Sequence, residues 1–227
     1  MARARSMGPG AAAAVAWLAA VATLALTRAA WGVPRPATLA ASPDALQHGR
    51  LWLLATSALI VDGPPVLQIA GTAVLVWVII ARFGARLFWV VAAAGHVIST
   101  LAVYSGIGVL GLVDAHAVRN VADTEDYGIS AIWAACLGAL LVAALRGRLP
   151  RGRPVIVLGV ACLLTFVVLV PAQGELSDFE HLVAFTAGAA CAAAALHHAG
   201  SAPRGPLRPS RLPSLRRRPR AAARAAR

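Results

Sequence analysis

The sequence predicts an all-α polytopic membrane protein with six transmembrane helices, and three observations carry that prediction. Of its 227 residues, 59% are hydrophobic and only 13% are charged, and the mean hydropathy is +0.72, more apolar than water-soluble domains are. The apolar residues gather in runs of roughly 20, the length a helix needs to cross about 30 Å of hydrocarbon. The charges are sorted by sign between the connections instead of being mixed along the chain.

The runs lie at about 11–33, 64–81, 87–112, 128–145, 154–171 and 180–197. In the first, Arg3 and Arg5 precede an alanine-rich core and small residues follow near Ala29 and Ala30, a pattern shared with secretory signal peptides. The run nevertheless passes Trp31 and carries Arg28 near its end, which favours a retained span. After it, Gly49 to Ile60 reads GRLWLLATSALI and is closed beyond Val61 by Asp62, Gly63, Pro64 and Pro65. That piece is too short to span, so it is expected to form a short re-entrant or interfacial helix.

All 21 basic residues are arginine. With the N-terminus inside, the inner segments hold Arg3, Arg5, Arg82, Arg86, Arg146, Arg148, Arg151, Arg153 and the nine arginines after residue 200. The outer segments hold Arg28, Arg35, Arg50 and Arg119 together with every acidic residue: Asp44, Asp62, Asp114, Asp123, Glu125, Asp126, Glu175, Asp178 and Glu180. The arginine bias sets the orientation. Both termini are expected in the cytoplasm and the protein in the cell membrane.

This divides the chain into a cytoplasmic N-terminus (1–10), a membrane domain (11–200) and a tail (201–227). The tail carries nine arginines, five prolines and no acid, so it is expected to be disordered. Its charge suits anionic lipid headgroups, each arginine near the surface contributing about 1 kcal/mol. Nucleic acid is the weaker alternative, because no aromatic or base-reading pattern accompanies the arginines. Cys136, Cys162 and Cys191 fall inside apolar runs without CxxC or Cys/His spacing, so they read as packing residues. No cofactor and no metal is expected.

Polar residues within or at the edges of spans are functional candidates, and the strongest are Ser130, His181 and His96. Ser130 opens the fourth span and His181 the sixth, both on the outer side, so residues 51 apart in sequence share one membrane depth. A serine hydroxyl becomes a nucleophile when a neighbouring imidazole takes its proton. The alternative is a helix cap or packing serine and a solvated interfacial histidine.

Gly128-Ile129-Ser130-Ala131, with His181-Leu182-Val183-Ala184-Phe185-Thr186-Ala187-Gly188 two spans later, resembles the rhomboid intramembrane serine proteases. Their hallmark is a GxSG serine on the fourth helix and a histidine in an HxxGxxxG-like setting on the sixth. Trp52-Leu53-Leu54-Ala55-Thr56-Ser57 is similar to the family's WR-L-T-S pattern, and the resemblance covers roughly residues 11 to 198. It implies a rhomboid-like bundle with a catalytic Ser130–His181 dyad and a transmembrane protein as substrate or client. Small residues at Ala184 and Gly188 would let the sixth helix approach the fourth.

Three positions depart from the family. Its HxxxN oxyanion donors should fall near Val66 and Ala70, neither of which can donate; Ala131 replaces a glycine, and Leu53 an arginine. Backbone N–H groups in the first turn of the fourth helix offer partial compensation.

Three residue groups stand beside the dyad. His96 is expected to form an interhelical hydrogen-bond network with the neighbouring Ser99 and Thr100, ahead of a substrate or catalytic role. Asp178 could orient His181 from three residues away, but it reads first as a solvated loop carboxylate, as do Glu175 and Glu180. The outer loop from Val113 to Tyr127 could cap the site or bind a partner.

Three functions therefore compete. One is a rhomboid-type protease in which Ser130 attacks a peptide carbonyl near the outer face and His181 relays the proton. Another is an inactive rhomboid-like protein that binds transmembrane helices. The third is a small transporter, for which the midplane lacks the expected charges.

Overall fold

The computed structural model describes residues 7–61, 65–149, 157–158, 161–162 and 175–201. They are all-α, with no strand among the described residues. Five helical stretches among them are long and apolar enough to cross a membrane: Pro9–Trp31, Pro65–Phe83, Ala85–Val113, Gly128–Leu145 and Asp178–His198. Most of the fifth predicted span, 154–171, lies outside the described residues, as does all of the tail after Ser201.

Helix α1 (Pro9–Trp31) starts on a proline whose missing N–H costs nothing in the first turn, and it ends at Gly32 in the left-handed conformation, whose N–H bonds the Arg28 carbonyl. The segment that follows does not cross. It forms a 3-10 turn (Pro36–Thr38), then α2 (Pro43–Gln47) capped by the Ser42 hydroxyl on the Ala45 amide, then α3 (Leu53–Thr56) and a 3-10 turn (Ser57–Leu59). The expected interfacial helix is thus two short turns, with Trp52 exposed and Ser57 fully buried. They are tied to α1 by Trp17 Nε1 donating to the Ala58 carbonyl and by the Arg28 guanidinium donating to that of Val61.

α4 (Pro65–Phe83) and α5 (Ala85–Ala93) turn about Gly84, whose φ of 88° is open to glycine and strained for other residues. α5 continues through a π turn, Ala94–Ile98, into α6 (Ser99–Val113), so the third span is a single rod with one widened turn around His96. A short helix, α7 (Ala115–Ala122), follows and packs Val118 against Gly111 of α6.

α8 (Gly128–Leu145) is the central helix. Twelve of its residues are buried, including Ala131, Ala134, Ala135, Cys136 and Leu137. Its partner is α9 (Glu175–Ser201). Asp126 just before α8 meets Glu180 near the start of α9; Gly188 lies on the Ala135 carbonyl; the Arg146 guanidinium, beyond the end of α8, donates to the Ala193 carbonyl. Both sequences advance together along the contact, so α8 and α9 run parallel.

Small residues permit this contact. A Cβ on Gly138 would overlap the Phe185 carbonyl, and one on Gly188 would overlap that of Ala135. The two backbones therefore touch directly, which is how helices pack where water gives no hydrophobic drive between them. The sequence expectation that Ala184 and Gly188 line this contact holds: both are buried.

Candidate functional site

Ser130 lies in the first turn of α8, half-buried, and its hydroxyl donates to the Tyr127 carbonyl at 3.0 Å. His181 lies in the second turn of α9 and is 5% exposed. The dyad residues thus occupy the first turn of α8 and the second turn of α9, two parallel helices in backbone contact. In this structure the serine proton is given to its own helix end, and no hydrogen bond links Ser130 to His181.

The two positions at which donors were sought face away. Val66 is 79% exposed, and Ala70 is on the same exposed side of α4. The inward polar residues are Gln68 and Thr72, both buried, with the Thr72 hydroxyl bonded to the Gln68 carbonyl. Ile69 joins the cluster around Ile129, and Gly71 rests on the Trp133 ring, so α4 runs parallel to α8. That register puts the Gln68 amide at the level of the first turn of α8. The sequence held a signal for it, since a glutamine inside an apolar helix is costly unless used.

At the N-terminal ends of α8 and α9 is a buried polar cluster joining four parts of the chain. His96 is 4% exposed; its Nε2 stands 2.6 Å from the Leu54 carbonyl and 3.2 Å from the Ser57 hydroxyl. A carbonyl only accepts, so Nε2 carries a proton. The ring packs against Gly128, where a Cβ would overlap it. Gly128→Ala should therefore expel the ring and break its bond to Leu54, costing about 2–4 kcal/mol. Thermal unfolding in detergent would register this as a lower Tm; an unchanged Tm would mean the ring is not packed there.

The interhelical network expected of His96 and its neighbours Ser99 and Thr100 is present, with the partners divided between two parts of the chain. His96 bonds back to the segment before α4, while Ser99 and Thr100 turn to α9. The Thr100 hydroxyl donates to Glu180 Oε1 at 2.6 Å and lies 3.4 Å from Asp126 Oδ2; the Ser99 hydroxyl, bonded to the Gly95 carbonyl, lies 3.4 Å from Glu180 Oε1. The Tyr104 hydroxyl donates to Asp126 at 3.2 Å.

Glu180 was expected as a solvated loop carboxylate. It is instead 3% exposed, and Asp126 is 7% exposed. The reason is helical: α9 begins at Glu175, five residues before Glu180, which turns that side chain onto α6. Asp126 is held by its own backbone, which exchanges N–H to carbonyl bonds with Ala41 in both directions. The two carboxyls have the Thr100 hydroxyl as a common neighbour, Glu180 at 2.6 Å and Asp126 at 3.4 Å.

Cys136 is fully buried, Cys162 and Cys191 partly so, and all three are free, as packing residues are. Among the described residues no group of three or more His, Cys, Asp or Glu side chains could hold a metal ion. Compared with protein-family models, curated proteins and solved structures, the chain matches none.

Proposed function

We infer that this is a rhomboid-like intramembrane serine protease of six spans, both termini cytoplasmic, that cleaves transmembrane proteins near the outer face of the cell membrane. The observation that carries this reading is the placement of Ser130 in the first turn and His181 in the second turn of parallel helices whose backbones touch at Gly138 and Gly188. The parallel run of α8 and α9 fits the sixth span this reading requires, because parallel neighbours separated by one connection need that connection to return across the bilayer.

In the proposed reaction, the Ser130 hydroxyl leaves the Tyr127 carbonyl by rotation about its Cα–Cβ bond and passes its proton to His181. Its oxygen attacks the scissile carbonyl, and the imidazolium returns the proton to the leaving amine. First-turn N–H groups of α8 and the buried Gln68 amide would receive the oxyanion. Water then hydrolyses the acyl-enzyme. No cofactor is required. The arginine-rich tail would rest on anionic headgroups of the inner leaflet.

A second reading is favoured by a specific observation, the bond from Ser130 to Tyr127: a protein that binds transmembrane helices without cutting them. Co-reconstitution with a single-span reporter separates the two. The protease reading expects cleavage that Ser130→Ala and His181→Ala each reduce by at least about 10³-fold. Stable capture of uncut reporter by wild type and Ser130→Ala alike is the result expected of the binder.

A further inference from the structure

The buried carboxyls bracket the proposed dyad: Asp126 is four residues before Ser130, and Glu180 immediately precedes His181. Both reach one atom on a third helix, the Thr100 hydroxyl, at 3.4 and 2.6 Å. We propose that Thr100, Asp126 and Glu180 form a latch that fixes the N-terminal ends of α8 and α9 relative to each other, and thereby positions Ser130 against His181. This rests on the protease reading for its catalytic consequence, but not for the latch itself.

Three features support a latch over isolated polar contacts. Between these N-terminal ends and the Arg146–Ala193 bond at the far end, α8 and α9 meet largely through small residues such as Ala135, Gly138 and Gly188, which permit close approach but offer little resistance to rotation. Directional bonds to a common hydroxyl supply that resistance where it matters, in the turns carrying the dyad. The hub is itself held from both sides: Thr100 is fully buried, Asp126 is tied to Ala41 and Tyr104, and Ser99 stands beside Glu180. None of these side chains reaches the reacting atoms, so they are positioning residues.

Thr100→Val keeps the shape and removes the hydroxyl; Thr100→Ser restores it. The experiment compares wild type and both variants, full length in lipid nanodiscs, by hydrogen–deuterium exchange of peptides covering 125–132 and 178–184 and by the rate of fluorophosphonate labelling. Thr100→Val is expected to speed exchange in both peptides by about tenfold. It should also slow the limiting labelling rate by about tenfold, with the half-saturating probe concentration unchanged. Thr100→Ser should return all three values to within about twofold of wild type.

If Thr100→Val misfolds because Glu180 loses its donor, Thr100→Val with Glu180→Gln removes the hydroxyl while sparing a buried charge, and the same changes are expected of it. Unchanged exchange in both peptides would overturn the latch, as would faster exchange with an unchanged limiting labelling rate. If wild type is not labelled at all, faster exchange in both peptides that Thr100→Ser reverses upholds the latch while removing the hydrolytic reading.

Discussion

Gly188→Val is expected to leave little folded protein. The obstacle is backbone: a side chain at 188 meets the carbonyl oxygen and carbon of Ala135, atoms that cannot swing aside as a side chain would. α9 must then move away from α8, the most thoroughly buried of the candidate spans. Overpacking a core costs about 1–3 kcal/mol when neighbouring side chains can adjust, and more when a helix must move, against a total margin of about 5–15 kcal/mol. Gly138→Val, which meets the Phe185 carbonyl from the other side, should behave in the same way. Monodispersity and thermal unfolding in detergent measure both variants. A Gly188→Val protein that melts with wild type would mean that the helices are not in backbone contact.

Gln68→Leu is expected to be well folded and catalytically poor. Leucine replaces the amide at similar volume in a buried position of α4, so packing survives while the donor is lost. Removing one oxyanion donor slows acyl transfer by about 10²–10³-fold. The rate of reporter cleavage should fall by that factor, with the melting temperature of wild type retained. Val66→Ala supplies the contrast: its side chain faces outward, so cleavage should be unchanged. Equal rates for Gln68→Leu and wild type would take Gln68 out of the proposed mechanism.

The contrast between Val66 and Gln68 marks what was legible in the sequence. Apolar runs of spanning length are one-dimensional signals, and five of the six predicted spans appear among the described residues, 128–145 with its predicted limits and 87–112 lengthened to Ala85–Val113. The pairing of small residues was also readable, because Ala184 and Gly188 recur at a helical spacing. What a linear reading lacks is the facing of each helix. Counting from a family pattern put oxyanion donors on the exposed side of α4, whereas the buried amide lies two residues away.

The polar cluster was hidden for a related reason. Glu180 reads as loop because it stands before an apolar run, and only the earlier start of α9 turns it inward. The partners of His96, Leu54 and Ser57, come from a short segment before α4 that pattern alone could place only at an interface. A bond to a backbone carbonyl leaves no trace in residue type, so nothing in LLATS announced that it would receive the histidine.

The central claim is that Ser130 is a nucleophile activated by His181, and fluorophosphonate labelling of the intact protein in nanodiscs, with the modified residue mapped by mass spectrometry, tests it most directly. The account predicts one adduct per chain, on Ser130, absent in Ser130→Ala and in His181→Ala although both variants remain folded. A folded wild-type protein that takes up no probe, or an adduct on another residue that persists in Ser130→Ala, would contradict it.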